Sequence, residues 1–167
     1  MALLQQYLQL SWFKGNPLDL PKSSVFFKYT LIFYYSIELF MQLNMIDDPL
    51  EAFSDVTIET LLTLLFIFVT LSLNASMAWF MQVTCAILIG ESFISCFALP
   101  ILAWITVTES ALSYFCLSLL IIWDLLFVSY ILKQVLSINR LASIIMGLFY
   151  FIATYLGVFG INVLLAL

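Results

Sequence analysis

Long apolar runs separated by short polar stretches dominate the chain, and this pattern predicts its elements. A run of about 20 apolar residues is long enough for an α-helix to cross a hydrocarbon core of ~30 Å. A helix is required in lipid because an open strand would leave backbone groups unpaired. The predicted spans are Val25–Ile46, Val56–Leu73, Trp79–Ile101, Ala111–Leu132 and Leu141–Leu167. The C-terminal end of the third span is the least sharply defined, because Pro100 interrupts it while Ile101–Val107 continues the apolar character.

A shorter pattern precedes the first span. Within residues 1–13, apolar side chains at helical spacing face away from Gln5, Gln6 and Gln9; they are Leu3, Leu4, Tyr7, Leu8 and Trp12. This predicts a short amphipathic helix in the headgroup region, with Trp12 and Phe13 at its edge. Residues 14–24 contain two prolines and a glycine, which predict a turn linker, and Ser23 or Ser24 can cap the following helix. The predicted fold is therefore an all-α membrane protein, a five-transmembrane-helix bundle with an interfacial N-terminal helix.

Composition supports a membrane protein and excludes several kinds of site. Hydrophobic residues make up 65% of the 167 residues and charged residues 9%, whereas soluble domains carry about 25% charged residues. Five basic residues provide no footprint for nucleic acid. Histidine is absent from the sequence, so the commonest zinc and haem ligand and the usual catalytic base are missing. The three cysteines fall inside apolar runs, typical of small hydrophobic residues. The sequence therefore predicts no enzyme activity, no metal site and no cofactor.

The basic residues predict the orientation. With five spans, all of them lie on the same side of the membrane; together with Trp12 they are the predicted interfacial anchors, Lys14, Lys22, Lys28, Lys133 and Arg140. The positive-inside rule then puts the N-terminus in the cytoplasm and the C-terminus outside. The loop at residues 47–55 carries four acids and no basic residue, and is predicted to lie outside. We expect the protein in the cell inner membrane.

Three carboxylates fall deep within the predicted spans: Glu38, Glu91 and Asp124. An ionised acid at the bilayer centre costs ~2.5–3.5 kcal/mol, so such residues are candidates for function. Glu91 lies nearest the middle of its span and is expected to be neutral at pH 7. One interpretation is that these acids hydrogen-bond neighbouring helices; the other is that they form a path for protons or cations. Glu59, near the predicted outer end of the second span, is expected to snorkel to the headgroups.

Small residues at small-xxx-small spacing predict close helix packing. They occur in the third and fifth spans, at Ala86, Gly90, Ser143, Gly147, Ala153, Gly157 and Gly160. The pattern fits contacts within the chain and contacts with a second copy equally well.

These observations favour a non-enzymatic scaffold or accessory subunit that acts through helix–helix contacts. The alternative is a small transporter, or a proton- or ion-coupled component, that uses the deep carboxylates. A third hypothesis is an enzyme subunit that binds a lipid or quinone in a deep apolar pocket. The expected partners are the lipid bilayer and other membrane proteins or a second copy of the chain, with no nucleic acid.

Two stretches resemble known membrane proteins. Leu4-x-x-Tyr7-Leu8, followed by the turn Lys14-x-x-Pro17-x-Asp19-Leu20-Pro21-x-Ser23, is similar to the opening of small proteobacterial membrane proteins. The segment from Trp123 to Ala142 resembles the junction of the fourth and fifth helices in Yip1-domain proteins. That resemblance implies five spans and a cytoplasmic N-terminus, for a bacterial family without an assigned function. The Asp-Leu-Tyr-Gly-Pro pattern of the eukaryotic members is absent, so Rab binding is not implied.

Overall fold

Helices form all of the regular structure in residues 2–108 and 110–165, which are the residues that the computed structural model describes. This confirms the all-α prediction. The α-helices are α1 Ala2–Ser11, α2 Ser24–Leu43, α3 Pro49–Leu73, α4 Phe80–Thr108, α5 Ala111–Leu136, α6 Arg140–Phe151 and α7 Gly157–Leu165. Short 3₁₀ turns occur at Pro17–Asp19 and Met77–Trp79, and a π-helical segment, Ile152–Leu156, joins α6 to α7.

Four helical stretches of the described chain are long and apolar enough to cross a membrane. They are Pro49–Leu73, Met77–Thr108, Ala111–Leu136 and Arg140–Leu164. The protein is therefore a bundle of membrane-spanning type. Helix α2 is 20 residues long but less apolar, since Lys28, Glu38 and Gln42 interrupt it. The last residues of the predicted fifth span, 166 and 167, lie outside the described residues, as does Met1.

Local capping explains where the helices begin, and it corrects one predicted boundary. The Ser23 side chain accepts a hydrogen bond of 3.2 Å from the Phe26 amide and starts α2. Asp48 accepts one of 2.9 Å from the Leu50 amide, with Pro49 at the first helical position. Helix α3 therefore begins seven residues before the predicted Val56, and the predicted loop at residues 47–55 is mostly helix.

Two more helices extend beyond their predicted ends, whereas α2 stops at Leu43, three residues before the predicted Ile46. Helix α4 continues through Pro100 to Thr108, past the predicted end at Ile101. A transmembrane helix tolerates proline because neighbouring groups can satisfy the freed carbonyl. Helix α5 likewise reaches Leu136, four residues beyond Leu132.

Short connections make successive helices from α2 to α6 antiparallel neighbours. One end of the bundle holds the C-terminus of α2 and the N-terminus of α3, with Asp47, Asp48, Glu51 and Asp55; we call it the acidic end. The opposite end holds Lys133 in the last turn of α5 and Arg140 at the start of α6, and we call it the basic end.

The N-terminal segment packs into the bundle from the basic end. Tyr7 lies against Phe26 in the first turn of α2, with ring centroids 4.9 Å apart. Five residues later, Trp12 lies against Phe93 and Trp123, which are near the middles of α4 and α5, at 6.5 and 5.5 Å. Helix α1 therefore points from the basic end toward the middle of the bundle.

The chain then returns to the basic end, held by side chains that donate to its backbone carbonyls. Trp123 Nε1 donates to Ser11 O at 3.1 Å, Tyr130 to Gly15 O at 2.5 Å, and Gln82 Nε2 to Leu20 O at 3.2 Å. This differs from a helix lying flat in the headgroups, because Tyr7 and Leu10 are buried against the bundle. The side chains of Leu3, Leu4 and Leu8, part of the predicted amphipathic face, lie outside the described residues.

Candidate functional site

Four acidic side chains from four helices line one cavity of about 260 Å³. They are Glu38 of α2, Glu59 of α3, Glu91 of α4 and Asp124 of α5. The structure thus brings together the three deep carboxylates that the sequence singles out, and adds Glu59. The described residues that line the cavity include no basic side chain; most others are aromatic or aliphatic, among them Tyr34, Met41, Met45, Ile94 and Leu120.

Glu91 ends a hydrogen-bonded chain that crosses three helices and has Tyr150 at its centre. It is 7% exposed, and Tyr150 of α6 donates to its Oε1 at 2.5 Å. The oxygen of Tyr150 lies 3.3 Å from Thr63 Oγ1 of α3. Since the Tyr150 proton points to Glu91, Thr63 is left to donate to Tyr150. The second oxygen, Glu91 Oε2, is buried with no hydrogen-bond partner among the described residues.

The carboxylate oxygens of Glu38 and Asp124 differ in their hydrogen bonding. Ser95 Oγ donates to Glu38 Oε1 at 2.9 Å. Asp124 Oδ1, like Glu91 Oε2, is buried without a partner in the part of the chain that the structure describes. Because a buried polar atom without a partner is costly, two such oxygens in one cavity indicate a place for a proton, a water molecule or a bound cation.

A second cavity, of about 510 Å³, connects the acids to the acidic end; we call it the vestibule. It shares Gln42, Glu59 and Tyr155 with the inner cavity, and Glu51 and Asp55 lie farther out. Asp55 is held across the helices by Asn162 of α7, whose side-chain amide donates to Oδ1 at 2.7 Å. The two cavities form one acid-lined recess that begins at the acidic end.

On the other side of the acids, most of the buried side chains are apolar, with Gln82, Thr84 and Ser129 as buried polar exceptions. Ile87 of α4 and Phe127, Val128 and Ile131 of α5 lie between the acids and the basic end and are fully buried. The buried Tyr7 and Leu10 of α1 belong to the same core. The recess is therefore open toward one end of the bundle and blocked toward the other.

The π-helical segment affects how Tyr150, which donates to Glu91, and Tyr155, which lines the recess, are placed. Residues five apart on a regular α-helix are rotated by about 140° from one another at 3.6 residues per turn. A π turn bonds residue i to i+5 and brings such residues onto nearly the same face. Tyr150, at the end of α6, binds Glu91, and Tyr155, inside the π segment, lines both cavities.

The spacing of polar residues in the sequence predicts the recess, although a search for apolar runs does not detect it. Polar residues recur every fourth position along α3, and the same spacing holds on α2; the two rows are Glu51, Asp55, Glu59 and Thr63, and Tyr34, Glu38 and Gln42. Such spacing puts each row on one face of its helix. The row on α3 extends about 18 Å along the axis. Predicting that Glu59 snorkels was wrong, since it is 6% exposed and faces the cavity.

Most of the predicted packing residues make contacts within the chain. A Cβ placed on Gly90 would come within 2.1 Å of the Phe127 ring, one on Gly147 within 2.3 Å of Ser129 Oγ, and one on Gly157 within 2.7 Å of Leu62. Ala86 and Ser143 are buried and Ala153 is half-buried. Gly160 differs, because no described atom beyond its chain neighbours and its own helix backbone lies within 4 Å of its Cβ position.

The predicted interfacial anchors lie apart from the recess. Lys22 lies over the Trp79 ring, 5.2 Å from its centroid. Lys28 is in the second turn of α2, and Lys14 is exposed beside the N-terminal turn. Lys133 and Arg140 flank a separate pocket at the basic end. Trp12 is 59% exposed although it contacts the middle of the bundle.

Neither a metal-binding cluster in the described residues nor a similar known protein identifies what the recess binds. Within residues 2–108 and 110–165, no three His, Cys, Asp or Glu side chains are grouped so as to hold a metal ion. No family model matches the chain, and neither a curated protein nor a solved structure matches it. The geometry of the recess is therefore the feature that indicates the function of the site.

Proposed function

We propose that the protein is a non-enzymatic membrane component that binds and transfers protons or monovalent cations, either as a small transporter or as the ion-coupled part of a complex. The observation that carries this proposal is the convergence of four carboxylates on one cavity, with Glu91 Oε2 and Asp124 Oδ1 unpartnered among the described atoms. Carboxylates in a membrane interior are expensive and typically mark ion or proton pathways. An apolar cavity wall without a basic side chain among the described residues favours acids that take up a cation.

The cation proposed here is a proton or a loosely held monovalent ion. Calcium requires six to eight oxygen ligands at about 2.3–2.6 Å, and magnesium needs a near-octahedral shell. The acids of the recess are instead spread along the helices, and Glu91 is linked to Thr63 through Tyr150. This spread suits stepwise transfer between neighbouring groups, from the vestibule through Glu59 to Glu91.

The proposal includes five spans in the cell inner membrane, with the basic end and the N-terminus in the cytoplasm. Helix α2 would be the additional span that brings the number from four to five, because its 20 residues reach about 30 Å and it packs against α3 and α4. Basic residues at one end support this orientation under the positive-inside rule. The vestibule would then open to the outside. A Yip1-like family relationship belongs to the same proposal.

A scaffold function is the second candidate, and the surface of α7 around Gly160 is the contact surface that the structure favours for it. Side chains of the same chain already fill the space beside three of the predicted packing glycines, Gly90, Gly147 and Gly157. Gly160 on α7 faces open space in the described structure, so a helix of another membrane protein or of a second copy could approach there closely.

Reconstitution into liposomes with an internal pH-sensitive dye tests the leading proposal. We expect an imposed pH or sodium gradient, with potassium and valinomycin to balance charge, to drive faster proton movement than in protein-free liposomes. A carbodiimide that reacts with buried protonated carboxyls should inhibit it. Dye traces identical to those of empty liposomes, together with no cation-dependent change in thermal stability, would overturn the proposal.

The vestibule also predicts access from one side. In a background without Cys85, Cys96 and Cys116, a Glu59→Cys variant should react with a membrane-impermeant cationic thiol reagent from the acidic end. A matched Lys133→Cys variant should react from the basic end, since Lys133 borders a pocket there. Labelling of the two variants in sealed vesicles of each orientation measures this. Equal labelling of Glu59→Cys from both sides would contradict one-sided access.

A further inference from the structure

A separate pocket of about 340 Å³ lies between α5 and α6 at the basic end. Its charged part is formed by Lys133 near the end of α5 and Arg140 at the start of α6. Its apolar part is formed by Leu126 and Ile144, which are 43% and 37% exposed on the outside of the bundle. The pocket is thus cationic and open to the outside of the bundle.

Charged and apolar groups are ordered along the helix axes. Lys133 is seven residues beyond Leu126, about 10 Å nearer the basic end, and Arg140 is about 6 Å nearer that end than Ile144. A phospholipid has the same order, with its phosphate at the membrane surface and its acyl chains below. A small soluble anion would use the charged part and leave the apolar wall uncovered.

Polar groups around the two cations suit a phosphodiester. Arginine binds phosphate oxygens through a planar fork, and lysine adds a mobile point charge. Ser143 and Ser129 also line the pocket. Ser129 is 3% exposed, and its hydroxyl has no hydrogen-bond partner in residues 2–108 and 110–165. The described lining includes no acidic side chain, so a bound anion meets no like charge.

The N-terminal segment closes one side of the pocket. Phe13 packs edge-on against Tyr130, with ring centroids 5.7 Å apart, and both line the pocket. Tyr130 also donates to Gly15 O at 2.5 Å. A molecule bound here would contact α5, α6 and the N-terminal turn at once, and would stabilise their arrangement.

We propose that this pocket binds one anionic phospholipid, with its phosphodiester between Lys133 and Arg140 and an acyl chain along Leu126 and Ile144. Basic pockets between transmembrane helices bind anionic headgroups in this manner. The site is independent of the acid-lined recess, so it holds whether or not the protein moves cations.

Native mass spectrometry of the full chain in a neutral detergent tests the proposal, with phosphatidylglycerol and phosphatidylcholine as matched lipids. We expect one phosphatidylglycerol to be retained and to raise the thermal midpoint, with at least about a tenfold preference over phosphatidylcholine. A Lys133→Gln/Arg140→Gln variant should lose that preference. The control, Lys22→Gln/Lys28→Gln, removes the same charge elsewhere on the chain and should keep it.

Two further measurements make the result decisive. Inorganic phosphate and glycerol phosphate should fail to reproduce the stabilisation at matched concentration; if they succeed, the pocket is a soluble-anion site and the lipid proposal is wrong. Should the double variant not fold, Arg140→Gln alone is measured, with a partial loss of preference expected. Equal retention of both lipids by the wild-type chain would also overturn the proposal.

Discussion

Replacing Glu91 by glutamine is expected to lower cation-coupled proton flux in proteoliposomes about a hundredfold or more, the contribution typical of a positioned proton-transfer group. Glutamine keeps the size of the side chain, and its carbonyl can still accept the hydrogen bond that Tyr150 donates to Oε1. It cannot bind and release a proton at the buried second position, where Oε2 has no partner among the described residues. The initial rate of dye quenching measures the loss.

The matched control is Asp19→Asn, the same acid-to-amide change outside the recess. Asp19 is exposed in the turn after α1, so flux should remain within about twofold of the wild-type rate, as expected for a surface substitution. Both variants should migrate as folded proteins with unchanged helix content. Wild-type flux in Glu91→Gln would remove Glu91 from the pathway, and an equal loss in Asp19→Asn would indicate a general defect.

Much of this fold follows from patterns that are visible in the sequence. Apolar runs indicate the four stretches that are long enough to cross a membrane. The cap at Ser23 was predictable because serine before an apolar run satisfies an early amide. The Asp48-Pro49 start of α3 was equally visible, and using it would have put Glu59 about 15 Å inside its helix. Hydropathy alone predicts that the helix begins at Val56, because the charged Glu51 and Asp55 then count as loop residues. Their four-residue spacing, which places both on one helical face, does not enter a hydropathy average.

Other features depend on tertiary contacts that no local pattern encodes. The alignment of Tyr150 with Tyr155 requires the π-helical segment, and five-residue spacing predicts opposite faces on a regular helix. The inward direction of α1 depends on partners far along the chain, such as Trp123 and Gln82. An amphipathic pattern predicts that one face of a helix is apolar. It does not distinguish burial of that face in a lipid surface from burial in a groove between helices.

A Gly90→Ala substitution is expected to destabilise the bundle by about 2 kcal/mol, although alanine is the better helix former. The new methyl group would come within 2.1 Å of two Phe127 ring atoms. Phe127 is completely buried, so its ring cannot move aside without displacing the core. Overpacking of this kind costs about 1–3 kcal/mol, and the helix propensity that alanine gains offsets about 0.5–1 kcal/mol of that.

The same substitution at Gly160 is the control, and its expected sign is opposite. Beyond its chain neighbours and its own helix backbone, a Cβ there meets no described atom within 4 Å, so Gly160→Ala should be neutral or stabilising by up to about 1 kcal/mol. Unfolding in mixed micelles with increasing SDS measures both variants. Adding Phe127→Leu to Gly90→Ala should recover part of the lost stability, because a smaller side chain makes room for the methyl group. If Gly90→Ala is as stable as Gly160→Ala, the close contact between α4 and α5 does not hold, and the position of Glu91 beside it must be reconsidered.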